Sequence, residues 1–242
     1  MMARYHEHAS EIISLLSLDR QPVALAFMRE APVDVPQADR ISPSSCAFWP
    51  RAESSVFYAS AEQHHHCQIG AMVMGFALPD VVVQQIGGLV EAMCGCQYLS
   101  PEEGEKIPKV EAAASGILYG QLSVFPQTPA AVLLWLTPAQ AMLYQEAIGS
   151  ASWASAPART TGRPACAAIP LSISDGRPVL SLGCKGMRTF TEVADDRLLA
   201  VVPGASLDDF VASLRTTVSA NENMEAYYTK RKADMAAMET AR

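Results

Sequence analysis

What this chain lacks narrows it first. Lys and Arg number 18 against 25 Asp and Glu, the net charge is −7, and the basic residues form no run longer than the three at Lys230-Arg231-Lys232. No nucleic-acid surface is expected. The apolar stretches are short, Ala130 to Leu136 being among the longest, whereas a membrane helix needs about 20 residues. No membrane span is expected. The first residues carry His6, Glu7 and His8 where an export signal would place a basic and then an apolar run. A cytoplasmic setting follows as the expectation. There is no Gly-rich phosphate loop, no Gly-x-Ser-x-Gly and no His-Glu-x-x-His, so motifs assign no reaction.

Against those absences stand a 50% apolar composition, enough for a sizeable core, and six cysteines. In a reducing compartment such cysteines serve as thiols, metal ligands or redox groups more often than as disulfides.

The pattern of elements predicts an α/β protein, with α+β as the alternative. A first helix is expected over His6–Leu18, with Ile12, Leu15, Leu16 and Leu18 on its apolar side. A buried strand follows at Val23–Met28, then a Pro-rich loop over Ala31–Pro43 and a strand at Val56–Ser60. Helices are expected over Gln68–Ala77 and Val81–Tyr98, and from the cap at Ser100. The second half opens near Gly116, with a strand at Val132–Leu136 and a helix from Thr137-Pro138 to about Ile148. A Ser/Ala/Thr-rich loop spans Gly149–Thr161, a turn falls at Asp175-Gly176, and strands at Val179–Leu182 and Leu198–Val202 follow. Ser206 to Asp209 caps a further helix, and a polar helix with Met and Tyr along one side fills Met224–Arg242. That last helix either packs on the body or serves a homodimer contact.

An internal repeat reorganises this reading. Pro22 to Phe27, Cys46-Ala47-Phe48-Trp49-Pro50, Tyr58-Ala59-Ser60 and Cys67-Gln68-Ile69-Gly70 follow one another in the first half. Pro129 to Leu134, Cys166-Ala167-Ala168-Ile169-Pro170, Val179-Leu180-Ser181 and Cys184-Lys185-Gly186 follow in the same order in the second. One domain over residues 1–242 is expected, with repeat halves at about 20–98 and 116–204 and C-terminal helices over 206–242. Two copies packed about a pseudo-twofold axis bring equivalent residues together. Cys46, Cys67, Cys166 and Cys184 would then converge as two pairs.

Four thiolates suit zinc or an iron–sulfur cluster such as [4Fe–4S]. The spacings match neither a zinc ribbon nor the compact ferredoxin run. The glycines after the second cysteines, Gly70 and Gly186, let backbone N–H groups approach a sulfur or an anion. A helix starting at Gln68 would favour the Cys67 thiolate. Cysteine is also a common core residue, so plain burial competes with ligation at all four. His64-His65-His66 precede Cys67 directly, and His64 and His66 are candidate ligands beside it; a solvated loop is the other reading. Cys94-Gly95-Cys96 ends a predicted helix and can clip a metal, form a redox pair or extend the site. Lys185 and Arg188 flank the Gly186 turn and can meet an anionic ligand.

The stretch Ser181-Leu182-Gly183-Cys184-Lys185-Gly186-Met187-Arg188 is the most specific part of a wider resemblance. With Gln21-Pro22-Val23-Ala24, Cys67-x-x-Gly70, and Ala194-Asp195-Asp196 through Pro203-Gly204, it resembles the uncharacterised family called domain of unknown function 169 over nearly the whole chain. The resemblance implies one family domain in a cytoplasmic setting, a mostly prokaryotic and archaeal distribution often among anaerobes, and motif roles for Cys67 and Cys184. It supplies no substrate. The His triplet and Cys94-Gly95-Cys96 depart from the family pattern.

The expectation is a redox or sensory protein holding an iron–sulfur cluster, with zinc as the alternative, served by a redox partner protein or a small-molecule ligand. A binding module at the pseudo-twofold interface and a thiol enzyme using Cys67 or Cys184 are the competing readings.

Overall fold

The computed structural model describes residues 2–39, 41–111, 113–149 and 160–240. Its helices are α1 (Met2–Leu16), α2 (Phe48–Ala52), α3 (Ala61–His64), α4 (Gln68–Val73), α5 (Asp80–Gly95), α6 (Pro101–Glu105), α7 (Pro138–Ala147), α8 (Ala168–Asp175), α9 (Lys185–Thr191) and α10 (Leu207–Thr240). Its strands are β1 (Val23–Met28), β2 (Phe57–Ser60), β3 (Gly116–Gln121), β4 (Ala131–Leu136), β5 (Thr160–Thr161), β6 (Val179–Ser181) and β7 (Leu198–Pro203). They form one mixed α/β architecture around a seven-stranded sheet in the order β2-β3-β1-β4-β7-β6-β5. The short β5–β6 pair is parallel and the other pairs are antiparallel.

Strand side chains alternate between faces, and here both faces are covered. Ala24, Val132, Leu134, Ala200 and Val202 point to one side, where they pack with Ile12 and Leu16 of α1, Tyr144 of α7 and Phe210 of α10. Val23, Leu25, Leu133, Trp135, Leu199 and Val201 point to the other, against Trp49 of α2, Val73 of α4, Ile169 of α8 and Met187 of α9. This double burial explains why β4 reads as an unbroken apolar run: all six of its residues are buried. The Tyr144 hydroxyl, buried under the sheet, donates to the carbonyls of Val179 and Val201 at 3.1 and 3.0 Å, so α7 is tied to two strands at once.

The sheet can be followed outward from its central pair. On one side of β1 lie β3 and then β2; on the other side of β4 lie β7 and then β6. The strand that opens at Gly116 hydrogen-bonds β1 and β2. It therefore lies between β1 and β2 in the sheet, although it follows them by more than 50 residues in sequence.

Capping chemistry sets several helix starts. Ser60, Ser100 and Thr137 each form a reciprocal capping box with Gln63, Glu103 and Gln140. Gly176 ends α8 in the left-handed conformation at φ 62°, which glycine adopts without strain. The two expected C-terminal helices are a single helix of 34 residues, α10. Helix α4 stops at Val73, short of the expected Ala77, because Gly75 turns the chain at φ 74°. Of the loop expected over Gly149–Thr161, positions 150–159 lie outside the described residues. Among the described residues no helix is long and apolar enough to cross a membrane.

Candidate thiol-lined cavity

The two cysteine pairs are presented by the same two devices. Cys46 is the middle residue of the 3-10 turn Ser45–Ala47, which runs into α2. Cys166 is the middle residue of the 3-10 turn Ala165–Ala167, which runs into α8. Cys67 is the N-cap of α4, and Cys184 is the N-cap of α9. The elements then cross over: α9 packs on the Ser45–Ala47 turn, and α4 packs on the Ala165–Ala167 turn. All four cysteines are free thiols, and all four line one cavity of about 370 Å³.

The cavity has two kinds of wall. One carries the four sulfurs with Ser44, Ser45, Gly70 and Gly186. The other is apolar, built from Leu89 and Met93 of α5 with Leu99, Ile107 and Phe190. Arg163 lines it too, with its guanidinium 4.8 Å from the centre of the Tyr98 ring and 3.5 Å from the Glu103 carboxylate.

Hydrogen bonding to the sulfurs differs between pairs. Ser44 Oγ lies 2.7 Å from Cys46 Sγ and 4.0 Å from Cys67 Sγ. The Met187 N–H donates to Cys184 Sγ at 3.4 Å. Gly70 is required where it stands: a Cβ there would lie 2.7 Å from both Cys67 Sγ and Ser45 Oγ. Burial pushes the Cys46 thiol up to about 12; the Ser44 hydrogen bond opposes this, and Cys67 and Cys184 add to it. Burial likewise raises the Cys166 thiol well above its ordinary value, with smaller contributions from Cys67, Cys46 and Cys184. Burial being the dominant influence on both, these two sulfurs stay protonated. Among the described residues no three His, Cys, Asp or Glu side chains are already drawn together at single-ion spacing.

The other expected site residues divide. His66 lines the cavity, but His64 does not. His64 is fully buried behind Ser45, with Nδ1 3.0 Å from Ser45 Oγ, and packs against Phe48 and Phe76 at 4.9 and 5.0 Å between ring centres. Desolvation holds its pKa down at about 3, so it is a neutral core imidazole, and its Nε2 has no hydrogen-bond partner among the described residues. Cys94 and Cys96 sit at the far end of α5 outside the cavity lining, Cys96 exposed and donating to the Met93 carbonyl at 3.4 Å. Lys185 is exposed and outside the lining. The Arg188 guanidinium donates to the carbonyls of Leu182, Ala194, Asp195 and Arg197. It clasps the turn after α9 and faces no ligand space. Sequence reading missed Ser44 and Arg163; the Ser-Ser pair directly before Cys46 was the available signal for the first.

No curated protein and no solved structure matches the chain. A family profile matches residues 11–213, a span that contains both cysteine pairs, every strand and the helices facing the cavity, and the chain therefore belongs to domain of unknown function 169, the family described as uncharacterised ArCR.

Proposed function

We propose that this is an iron–sulfur protein with a redox or sensory role, its cluster held in the cavity by Cys46, Cys67, Cys166 and Cys184. The observation that carries the reading is that four cysteines from two distant segments line one cavity. The donor set fits: four soft thiols and, among the described residues, no lining carboxylate. The volume fits a polynuclear centre more naturally than one zinc ion, whose four sulfurs must each come within about 2.3 Å. When bound, such a cluster supplies one-electron transfer. The chain's own residues do the rest. Binding exchanges thiol protons for metal, whose positive charge offsets the repulsion the four thiolates would otherwise feel. With Cys46 ligated as a thiolate, the Ser44 hydroxyl beside it can only donate, the Met187 N–H donates to Cys184 Sγ, and the apolar wall limits the approach of water. Both act on reduction potential.

The same proposal includes an ancestral duplication. Its support is the matching strand sequence on either side of the β1–β4 pair, the paired 3-10 turns and cysteine caps, and the reciprocal packing of α4 and α9. The halves then meet after β3, near the 3-10 turn Leu122–Val124. The ligand set is the four repeated cysteines, with Cys94, Cys96 and His64 outside it.

The test is anaerobic purification, or anaerobic reconstitution with iron and sulfide, followed by iron and acid-labile sulfide assays and visible spectra. A brown protein with a [4Fe–4S] complement, lost in Cys67→Ser with the fold retained, is expected. A colourless, iron-free protein after reconstitution overturns it, and one zinc per chain selects the alternative metal.

A second reading rests on the apolar wall. About 370 Å³ lies within the range of small-molecule pockets, about 300–1,000 Å³, and Arg163 offers a cation at its edge. A ligand with an apolar body and an anionic end would suit it. Binding that is equal in the four-cysteine and Cys67→Ser proteins would favour this reading.

A further inference from the structure

The C-terminal helix carries a face that none of the described residues covers. Helix α10 has 34 residues, about 51 Å at 1.5 Å per residue. Its first part is seated on the body: Leu207, Phe210, Val211 and Leu214 are buried, and Val218 is partly buried against the same cluster. Among the described residues the last tie to the body is Asn221, whose Nδ2 donates to Glu146 Oε2 at 2.6 Å. From Glu222 to Thr240 every residue is exposed, and this stretch lies beyond the family match, which ends at residue 213. A largely polar helix standing free in water is marginal without packing.

The free part nevertheless continues the spacing of the seated part. Leu207, Phe210, Leu214, Thr217, Asn221, Met224, Tyr228, Arg231, Met235 and Met238 follow one another at alternating steps of three and four. That is a heptad seam. Up to Leu214 the seam meets the body; from Met224 onward it faces solvent, with Met224, Tyr228, Met235 and Met238 exposed by 47, 59, 53 and 69%.

We propose that residues 221–240 pair with the same segment of a second copy as an antiparallel two-helix coiled coil. The charges decide the direction. In the antiparallel arrangement seam residues of the two copies alternate across the interface, and flanking residues meet their own kind of position. Aligning Tyr228 with Arg231 of the second copy brings Met235 onto Met224 and Asn221 onto Met238. The flanks then bring Glu225 to Lys232 and Tyr227 to Asp234. Every pair occurs twice because the interface is isologous. Tyr228 over Arg231 adds a ring–cation contact. In the parallel arrangement Arg231 would face its own copy in the seam and Asp234 would face Glu239, both repulsive. No metal or cavity residue is involved, so the inference stands independently of the cluster.

The experiment is sedimentation equilibrium on the full chain, with far-UV circular dichroism as the check on folding. A dimer is expected, and Met224→Glu with Met235→Glu should yield monomer. Glu225→Lys alone or Lys232→Glu alone should each weaken the dimer about tenfold, since each turns two attractive pairs repulsive. Combining them should restore the original association. A monomeric full chain at tens of micromolar overturns the proposal, as does a dimer that survives the double methionine change. A combined charge reversal that stays as weak as the single ones overturns it too, because the pairing of Glu225 with Lys232 is what the antiparallel register requires.

Discussion

The two limbs that carry the cysteines have the same backbone plan and different polar dressing. In the first limb Cys46 has a serine hydroxyl at 2.7 Å, Gly70 leaves room beside Cys67, and a buried histidine stands three residues before Cys67. In the second, Pro164 and Ala165 stand before Cys166, Met187 fills the space inside α9, and the residue three before Cys184 is the buried Ser181. Ser181 is satisfied locally, accepting from the Gly183 N–H at 3.1 Å. Each limb gives one sulfur a donor, but the first uses a side chain and the second the backbone N–H of Met187. The lesson is that one thiol pair is tunable by substitution and the other is built into the chain's path.

The largest effect should come where the limbs anchor in the core. Trp49 and Ile169 occupy corresponding places after the two 3-10 turns, and both are 0% exposed. Trp49→Ala should cost about 3–5 kcal/mol and Ile169→Ala about 2–5 kcal/mol in urea unfolding. A neutral Ile169→Ala would mean that the second limb does not share the core of the first, and the comparison would break there. Next is Gly70→Ala, expected to cost about 1–3 kcal/mol by overpacking. Its added Cβ would collide with Cys67 Sγ and Ser45 Oγ at 2.7 Å, so reconstituted iron content should fall as well. Met187 marks the contrast, since a side chain is already accommodated three residues after Cys184, where Gly70 stands three after Cys67.

His64 supplies the third test. Its pKa is held near 3 in the folded chain against an ordinary value of 6.5. The unfolded chain therefore takes up a proton that the folded chain refuses. Stability from this group is full above about pH 6.5 and is lost as pH falls toward 3. The slope is about 1.4 kcal/mol per pH unit in that window. His64→Phe should remove that component from the acid limb of the unfolding curve. An acid limb identical in both proteins would show that His64 takes up its proton without unfolding the first limb.

Sequence sufficed for those parts of the fold where local chemistry and burial agree. Strand β1 matched its expected limits, and the Thr137-Pro138 start of α7 was legible from its cap. Strand β3 was not, because Gly116, Tyr119 and Gly120 break the apolar pattern. Tertiary packing explains both glycines: a Cβ at Gly116 would strike the Ala59 carbonyl and Tyr58, and one at Gly120 would strike Val56. The cysteines of the cavity were legible because the order Cys-Ala-x-x-Pro, strand, Cys occurs twice in the sequence. His64 was misplaced because adjacency in sequence put it beside Cys67, whereas the one-turn helix α3 rotates it into the core. Arg188 was misplaced because its motif position says nothing of the four carbonyls that hold its guanidinium.

The smallest expected effect is the one that isolates the difference between limbs. Ser44 is buried, its hydroxyl lies 2.7 Å from Cys46 Sγ, and its own carbonyl accepts from Ser42 Oγ at 2.6 Å. The backbone of this turn is thus held independently of the hydroxyl, and Ser44→Ala removes one donor with little else. The loss should be about 0.5–1.5 kcal/mol in the metal-free protein. Because the hydroxyl is what opposes the burial-driven rise of the Cys46 thiol, thiolate absorbance should appear at higher pH in the variant. The sign carries over to stability. A thiol raised in the folded state contributes stability that is present below the unfolded value of 9.0 and is lost as pH climbs toward about 12. Ser44→Ala should push the end of that loss higher. In the cluster-loaded protein the same change removes a hydrogen bond to a ligand sulfur, and the midpoint potential should fall while iron content stays whole. If the potential is unmoved in a fully loaded variant, the Ser44 hydroxyl serves the turn alone, and the two limbs are electronically alike despite their different dressing.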